Sequence, residues 1–304
     1  MRKTVRFESE GLGCVGWYYI PDEAKYHKVP AIVMAHGFSL VKEAYLDRYA
    51  EKFKEAGFAV LVFDYRNFGE SDVEKPLHLD PLEQIKDYRN AVSWMMLQDE
   101  VDPSKIGLWG TSYSGGHVLH VGAVDSRVKA VVAQVPTING RKGAMRKMGQ
   151  ANFRNFVEKL TAYRNERYQH KMTKMLPVVS LDEPAAQPHP DAYKWFMETK
   201  TIAPNWQNEI TLESMEYYME YNPTSFIEFI SPTPVMMIAA LEDGITPPDL
   251  IIEAYEEWVR EPKSLVKLAG GHFDVYNGPT FEEASNSAVA WFTEHLKKAS
   301  VKVT

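Results

Sequence analysis

Short, almost wholly apolar runs recur along this chain, separated by stretches in which apolar residues return every three or four positions. Residues 31–36 (AIVMAH), bounded by Pro30 and Gly37, and residues 59–64 (AVLVFD) predict strands covered on both faces. Between them Leu46, Tyr49, Phe53 and Ala56 mark one face of a helix that Gly57 closes. Asp80 and Pro81 fit the cap and first turn of a second helix, with Leu82, Ile85, Val92 and Met96 sharing a face. The run Ile106 to Trp109 and VKAVVAQV at 128–135 predict two further strands. Strand and helix alternating at this spacing imply a parallel, doubly wound sheet. Residues 3–9 and 14–20 add an antiparallel pair joined at Gly11-Leu12-Gly13.

The rhythm breaks after Pro136. As far as Phe229 no convincing strand pattern appears, and the segment, rich in Met, aromatic and charged residues, reads as mostly helical. Strands resume at 234–240 (PVMMIAA) and 264–270 (SLVKLAG), with a helix from Pro247 between them. A last helix is expected from Phe281, with Thr280 and Glu283 as a capping box and Ala284, Ala288, Trp291 and Phe292 as its apolar face. The predicted class is therefore α/β, with a core formed by residues 1–136 and 230–304 and a helical cap inserted at 137–229.

Composition narrows the function classes. The 304 residues are 45% hydrophobic and 25% charged, as in a globular enzyme, and the net charge of −7 argues against nucleic-acid binding. No apolar stretch is long enough to span a membrane, and MRKTVRFESE lacks the apolar core of a signal peptide, so the expectation is a cytoplasmic protein without a membrane partner. Cys14, the single cysteine, reads as a small buried hydrophobe.

The candidate chemistry centres on Lys105 to His120, KIGLWGTSYSGGHVLH, which reads as strand, sharp turn and helix. Ser112 sits at the tip, where a nucleophile elbow presents its hydroxyl, and the backbone NH of Tyr113 is placed to meet a developing oxyanion. The usual Gly-x-Ser-x-Gly pattern is altered, since Ser114 stands at the second glycine position and the glycines move to Gly115 and Gly116. A serine nucleophile needs a base and a group to orient it, expected at the carboxyl ends of later strands. Asp243 follows strand 234–240 and His272 follows strand 264–270, giving the order Ser112, Asp243, His272. Glu242 and Asp274 compete with Asp243 for the orienting role; Gly244, able to turn Asp243 inward, favours Asp243. The second oxyanion donor is expected from the backbone NH of Phe38, with His36 a structural residue and residues 64–71 a tightly bonded turn beneath the site. His117 and His120 lie three apart on the elbow helix, but nothing nearby completes a ligand set, so they are read as packing residues and no metal is expected.

The combination HGF, DYRNFGESD, GTSYSGGHVL, LEDG and GGH resembles the α/β-hydrolase superfamily over residues 3–136 and 230–298. GTSYSGGHVL together with HGFSLVKE is similar, more narrowly, to serine hydrolases grouped with acetylxylan-esterase-like and polyketide-transferase-like proteins. In that group the serine matching Ser112 is the nucleophile, and a residue other than glycine at the position of Ser114 is common. The resemblance implies a serine hydrolase acting on a carboxylic ester or related acyl compound through an acyl-enzyme on Ser112, with no cofactor. Three alternatives stay open: a biosynthetic acyltransferase using the same acyl-enzyme, an amidase or peptidase using the same triad, and a non-catalytic small-molecule binding protein. The aromatic residues Trp195, Phe196, Trp206, Tyr217, Tyr218 and Tyr221 suit a cap over a hydrophobic acyl substrate. Positive charge gathers in residues 137–174 and negative charge in 175–229, a balance better read as mutual pairing or solvated helix faces than as steering.

Overall fold

The computed structural model describes residues 1–297. In chain order the first half comprises β1 (Arg2–Ser9), β2 (Leu12–Tyr19), β3 (Val29–Ala35), α1 (Leu46–Glu55), β4 (Ala59–Phe63), α2 (Pro81–Met96), β5 (Val101–Thr111), α3 (Tyr113–Val124) and β6 (Val128–Gln134). There follow α4 (Gly140–Met148), α5 (Gln150–His170), β7 (Met175–Pro177), α6 (Pro190–Thr199), β8 (Glu209–Thr211), α7 (Ser214–Glu220) and α8 (Thr224–Ile227). The chain then returns through β9 (Val235–Ala240), α9 (Pro248–Glu257), β10 (Lys263–Leu268) and α10 (Gly278–Phe292).

Eight strands form one sheet in the order β1-β2-β4-β3-β5-β6-β9-β10. Pairing is antiparallel from β1 through β2 to β4 and parallel across the rest. Every residue of β3, β4 and β9 is buried, which is why these strands read as unbroken apolar runs rather than as alternation. An α/β-hydrolase fold with a mostly parallel sheet is thus observed.

Four local expectations need correction. The first hairpin turns at Glu10-Gly11, both at positive φ (54° and 87°), because a two-residue loop of that geometry closes the Ser9–Leu12 pair; Leu12 and Gly13 lie inside β2. On α2 the inward face is Ile85, Tyr88, Val92 and Met95, and Leu82 is 61% exposed. Asp80 does cap that helix, accepting from the Leu82 amide at 2.8 Å. The Thr280 and Glu283 box is not made, since α10 begins earlier, at Gly278. Residues 136–229 hold a small antiparallel ladder, β7 with β8, whose strands are too short to show alternation in the sequence.

The end of the predicted core range, beyond residue 297, lies outside the described residues. Among the described residues no helix is long and apolar enough to cross a membrane. The opposed charges of residues 137–229 meet as read: Arg164 and Arg167 pair with Glu216, and Arg167 also reaches Glu213. Lys142 and Arg146 pair instead with Glu253 and Asp249 on α9.

Candidate active site

The turn between β5 and α3 places Ser112. Its φ of 57° and ψ of −116° belong to a region that suits glycine, and two bonds hold it there: Ser112 N to Gln134 O and Thr137 N to Ser112 O, each 2.8 Å. The neighbouring glycines answer close approaches. A Cβ at Gly110 would stand 2.3 Å from the Ser114 carbonyl oxygen, and one at Gly116 would stand 2.5 Å from the Thr137 carbonyl oxygen.

Ser114, the departure from the usual motif, has work of its own. Its hydroxyl donates to the His36 carbonyl oxygen and lies against the Tyr65 hydroxyl, all three residues being buried. It therefore ties the start of α3 to the loop that follows β3. Replacing it leaves a buried carbonyl and a buried phenol short of a partner, a loss on the order of 1–3 kcal/mol. Ser114→Ala is expected to lower the thermal midpoint by a few degrees and kcat by about tenfold with KM little changed. An unaltered kcat would show that the tie does not position reacting groups.

Ser112, His272 and Asp243 come together in one hydrogen-bonded chain. His272 Nε2 lies 3.0 Å from Ser112 Oγ, and His272 Nδ1 lies 2.6 Å from Asp243 Oδ2. All three side chains are buried. Asp243 Oδ1 accepts from the amides of Ile245 (2.7 Å) and Thr246 (2.8 Å), and Thr246 Oγ1 lies 2.7 Å from Oδ2. Burial pushes the carboxyl upward, but His272 and Thr246 outweigh it and hold the group below its ordinary value of 3.8. An ionised carboxylate only accepts, so Nδ1 carries the ring proton and Nε2 is left to accept from Ser112.

The competing acids are elsewhere. Asp274 Oδ2 accepts from Gly271 N at 2.8 Å, and Glu242 is exposed. Gly244 is not in the left-handed region, so the aim of Asp243 comes from its own bonds to the two following amides. Thr246 was missed in the sequence; its signal was a threonine three residues after a turn aspartate.

The two amides predicted to face an oxyanion belong to residues on segments next to Ser112. A Cβ at Gly37 would stand 3.4 Å from Ser112 Oγ, so the loop carrying Phe38 passes beside the serine. Phe38 N donates no hydrogen bond within the described residues, and Tyr113, first residue of α3, has no acceptor one turn back. His36 braces this loop, with Nδ1 3.0 Å from the Gly37 carbonyl oxygen, and burial pushes its pKa down to about 4, leaving it neutral at pH 7. Residues 64–71 form the expected bonded turn: Asp64 takes the Lys42 amide (2.6 Å), the buried Lys42 ammonium (2.8 Å) and the Glu70 amide (3.1 Å).

Above the serine the chamber is small, with a volume of about 20 Å³ between Phe38, Gln187, Trp195, Phe196 and Phe273. That is room for about one water molecule. Trp195 stacks on Phe273 at 4.8 Å, next to His272, and Tyr218 meets both Phe38 and Tyr113 at 5.7 Å. A larger cavity of about 540 Å³ lies between Asp80, His120, Tyr217 and Phe226 and includes none of Ser112, Asp243 or His272. His117 is bonded through both ring nitrogens, to Tyr221 (2.8 Å) and Gln84 (2.9 Å), and His120 stacks on Phe226 at 3.9 Å.

A strand-to-helix serine followed in the chain by an acid and a histidine in the loops after the last two sheet strands, β9 and β10, defines a class. Residues 30–279 match the sequence profile of the alpha/beta hydrolase fold family, and the chain belongs to that family. The thiohydrolase aneE of Aspergillus aculeatus is 32% identical over 88% of this chain and 86% of its own. The quorum-quenching protein AidA of Acinetobacter baumannii is 29% identical over 91% and 90%. The crystal structure of the α/β hydrolase GrgF from Penicillium superposes with a TM-score of 0.83 at 27% identity, covering 98% of this chain and all of that one; its sequence carries the name polyketide transferase.

Proposed function

We propose that the protein is a serine hydrolase that cleaves a carboxylic ester or thioester through an acyl-enzyme on Ser112. The observation that carries this reading is the chain Asp243–His272–Ser112, at 2.6 and 3.0 Å. Ser112 Oγ attacks the carbonyl carbon while its proton passes to His272 Nε2, and the amides of Phe38 and Tyr113 receive the oxyanion. The tetrahedral species collapses with cleavage of the bond to the leaving oxygen or sulfur, which takes the proton from His272. A water then gives a proton to His272 and its oxygen to the acyl carbon, releasing the acid and restoring Ser112.

The segment 137–229 acts as a cap. Its Trp195 and Phe196 close the chamber with apolar surface, which favours a hydrophobic acyl or alcohol group over acetate, and the cap must shift to admit it. Hydrolysis of p-nitrophenyl esters from acetate to decanoate tests this. Higher kcat/KM for the longer chains is expected, and a strict preference for acetate would contradict it.

The small volume of the chamber and the name of GrgF support a second reading, transfer of the acyl group to an alcohol or amine. Mass analysis of products formed with and without such acceptors separates the two, since transfer yields a new ester or amide in place of the free acid.

A further inference from the structure

The cavity of about 540 Å³ is bordered by the start of α2, the far end of α3, and α7 with α8, and it is large enough for a drug-sized molecule. Its apolar wall is Pro81, Leu82, Tyr217, Tyr221 and Phe226. Leu82, whose spacing on α2 predicted burial, is 61% exposed and lines this space instead. Both tyrosine rings are held by their hydroxyls, Tyr217 donating to Glu213 at 3.1 Å and Tyr221 bonding His117 at 2.8 Å. The His120 ring stacks on Phe226 at 3.9 Å. Burial, with the Arg89 charge nearby, lowers its pKa to about 4, so it is neutral at pH 7.

The charge around the cavity has one sign. Asp80 and Glu220 both line it, and among the described residues no lysine or arginine does. Asp80 caps α2 through Oδ1 alone, at 2.8 Å from the Leu82 amide and 3.4 Å from that of Glu83. Glu220 is exposed and forms no ion pair among the described residues. Arg164 and Arg89, whose charges reach Glu220 and His120, are paired with Glu216 and Asp125.

An aromatic space edged by carboxylates repels anions and favours a cation whose body is apolar, since an ammonium gains from the carboxylates and from the tyrosine ring faces. We infer that this cavity is a second ligand site, for a small aromatic molecule bearing a protonated amine, with its ring against Leu82 and Phe226 and its ammonium toward Asp80 and Glu220. None of Ser112, Asp243 or His272 borders the space, so its occupation does not depend on acyl-enzyme chemistry.

The test is calorimetric titration of the full chain at pH 7 with three probes of one shape and different charge: tryptamine (cation), tryptophol (neutral) and indole-3-propionate (anion). Tryptamine is expected to bind at one site with a Kd of about 0.1–1 mM. It should bind about 3-fold more tightly than tryptophol and about 10-fold more tightly than indole-3-propionate. Leu82→Arg, a change at an exposed position, places a guanidinium beside the two carboxylates and is expected to weaken tryptamine binding about 10-fold. Ser112→Ala is expected to bind tryptamine as the wild type does. Failure of tryptamine to bind at millimolar concentration, or binding of indole-3-propionate as tight as that of tryptamine, would overturn the assignment. So would tryptamine binding that is unchanged in Leu82→Arg, or that is lost in Ser112→Ala, which would place the ligand in the chamber above the serine instead.

Discussion

Ser112→Gly is expected to abolish acyl transfer and at the same time to raise the thermal midpoint of unfolding. The serine sits at φ 57° and ψ −116°, where a Cβ is crowded and strain of roughly 1–3 kcal/mol is stored. Glycine relieves that crowding, and the gain outlasts the extra freedom it gives the unfolded chain, about 0.5–1 kcal/mol. The net is about 1 kcal/mol, or roughly 2–4 °C for a chain of this size. Ser112→Ala removes the same hydroxyl but keeps the Cβ, so it should be equally inactive without the gain. Calorimetry on the three proteins checks this. A glycine variant no more stable than the alanine variant would mean that the elbow holds its serine without strain.

Asp243→Asn should lower kcat by about 10⁴ while leaving KM and the fold nearly unchanged. The asparagine oxygen can still accept from the amides of Ile245 and Thr246, so the turn survives. Its NH2 then faces His272 Nδ1 and donates to it. The ring proton moves to Nε2, which meets Ser112 Oγ as a donor and cannot take its proton. Steady-state kinetics reads the loss, and a reduction below tenfold would contradict the assigned tautomer. The same variant bears on stability. Because the Asp243 carboxyl is held below its unfolded value of 3.8, its ionised form contributes stability that is present above about pH 4 and lost as pH falls through the depressed value. Asp243→Asn should therefore unfold with a weaker acid dependence below pH 4 than the wild type.

Much of the site is local in origin, which is why it can be read from the chain. β3, β4 and β9 are buried on both faces and so appear as apolar runs, and the loops that follow them carry Phe38, the 64–71 turn and Asp243. Ser112 and Tyr113 are fixed by a turn whose glycines adjoin them in sequence. What escaped depends on partners far along the chain. The value of Ser114 lies in His36 and Tyr65, on two other strands' loops. The Thr280 box failed for a related reason, since Asn277-Gly278 starts α10 a turn earlier than a local pattern suggests. The β7–β8 ladder rests on pairing between segments with no alternation of their own.

One measurement bears most directly on whether Ser112 is a nucleophile driven by His272 and Asp243. The intact protein, wild type and Ser112→Ala, is incubated with a small fluorophosphonate and weighed by mass spectrometry. A single adduct on the wild type, absent from Ser112→Ala, is the expected result. No adduct on folded wild type, or one that persists in Ser112→Ala, would contradict the acyl-enzyme mechanism, and the former would favour a chain that binds its small molecule without cleaving it.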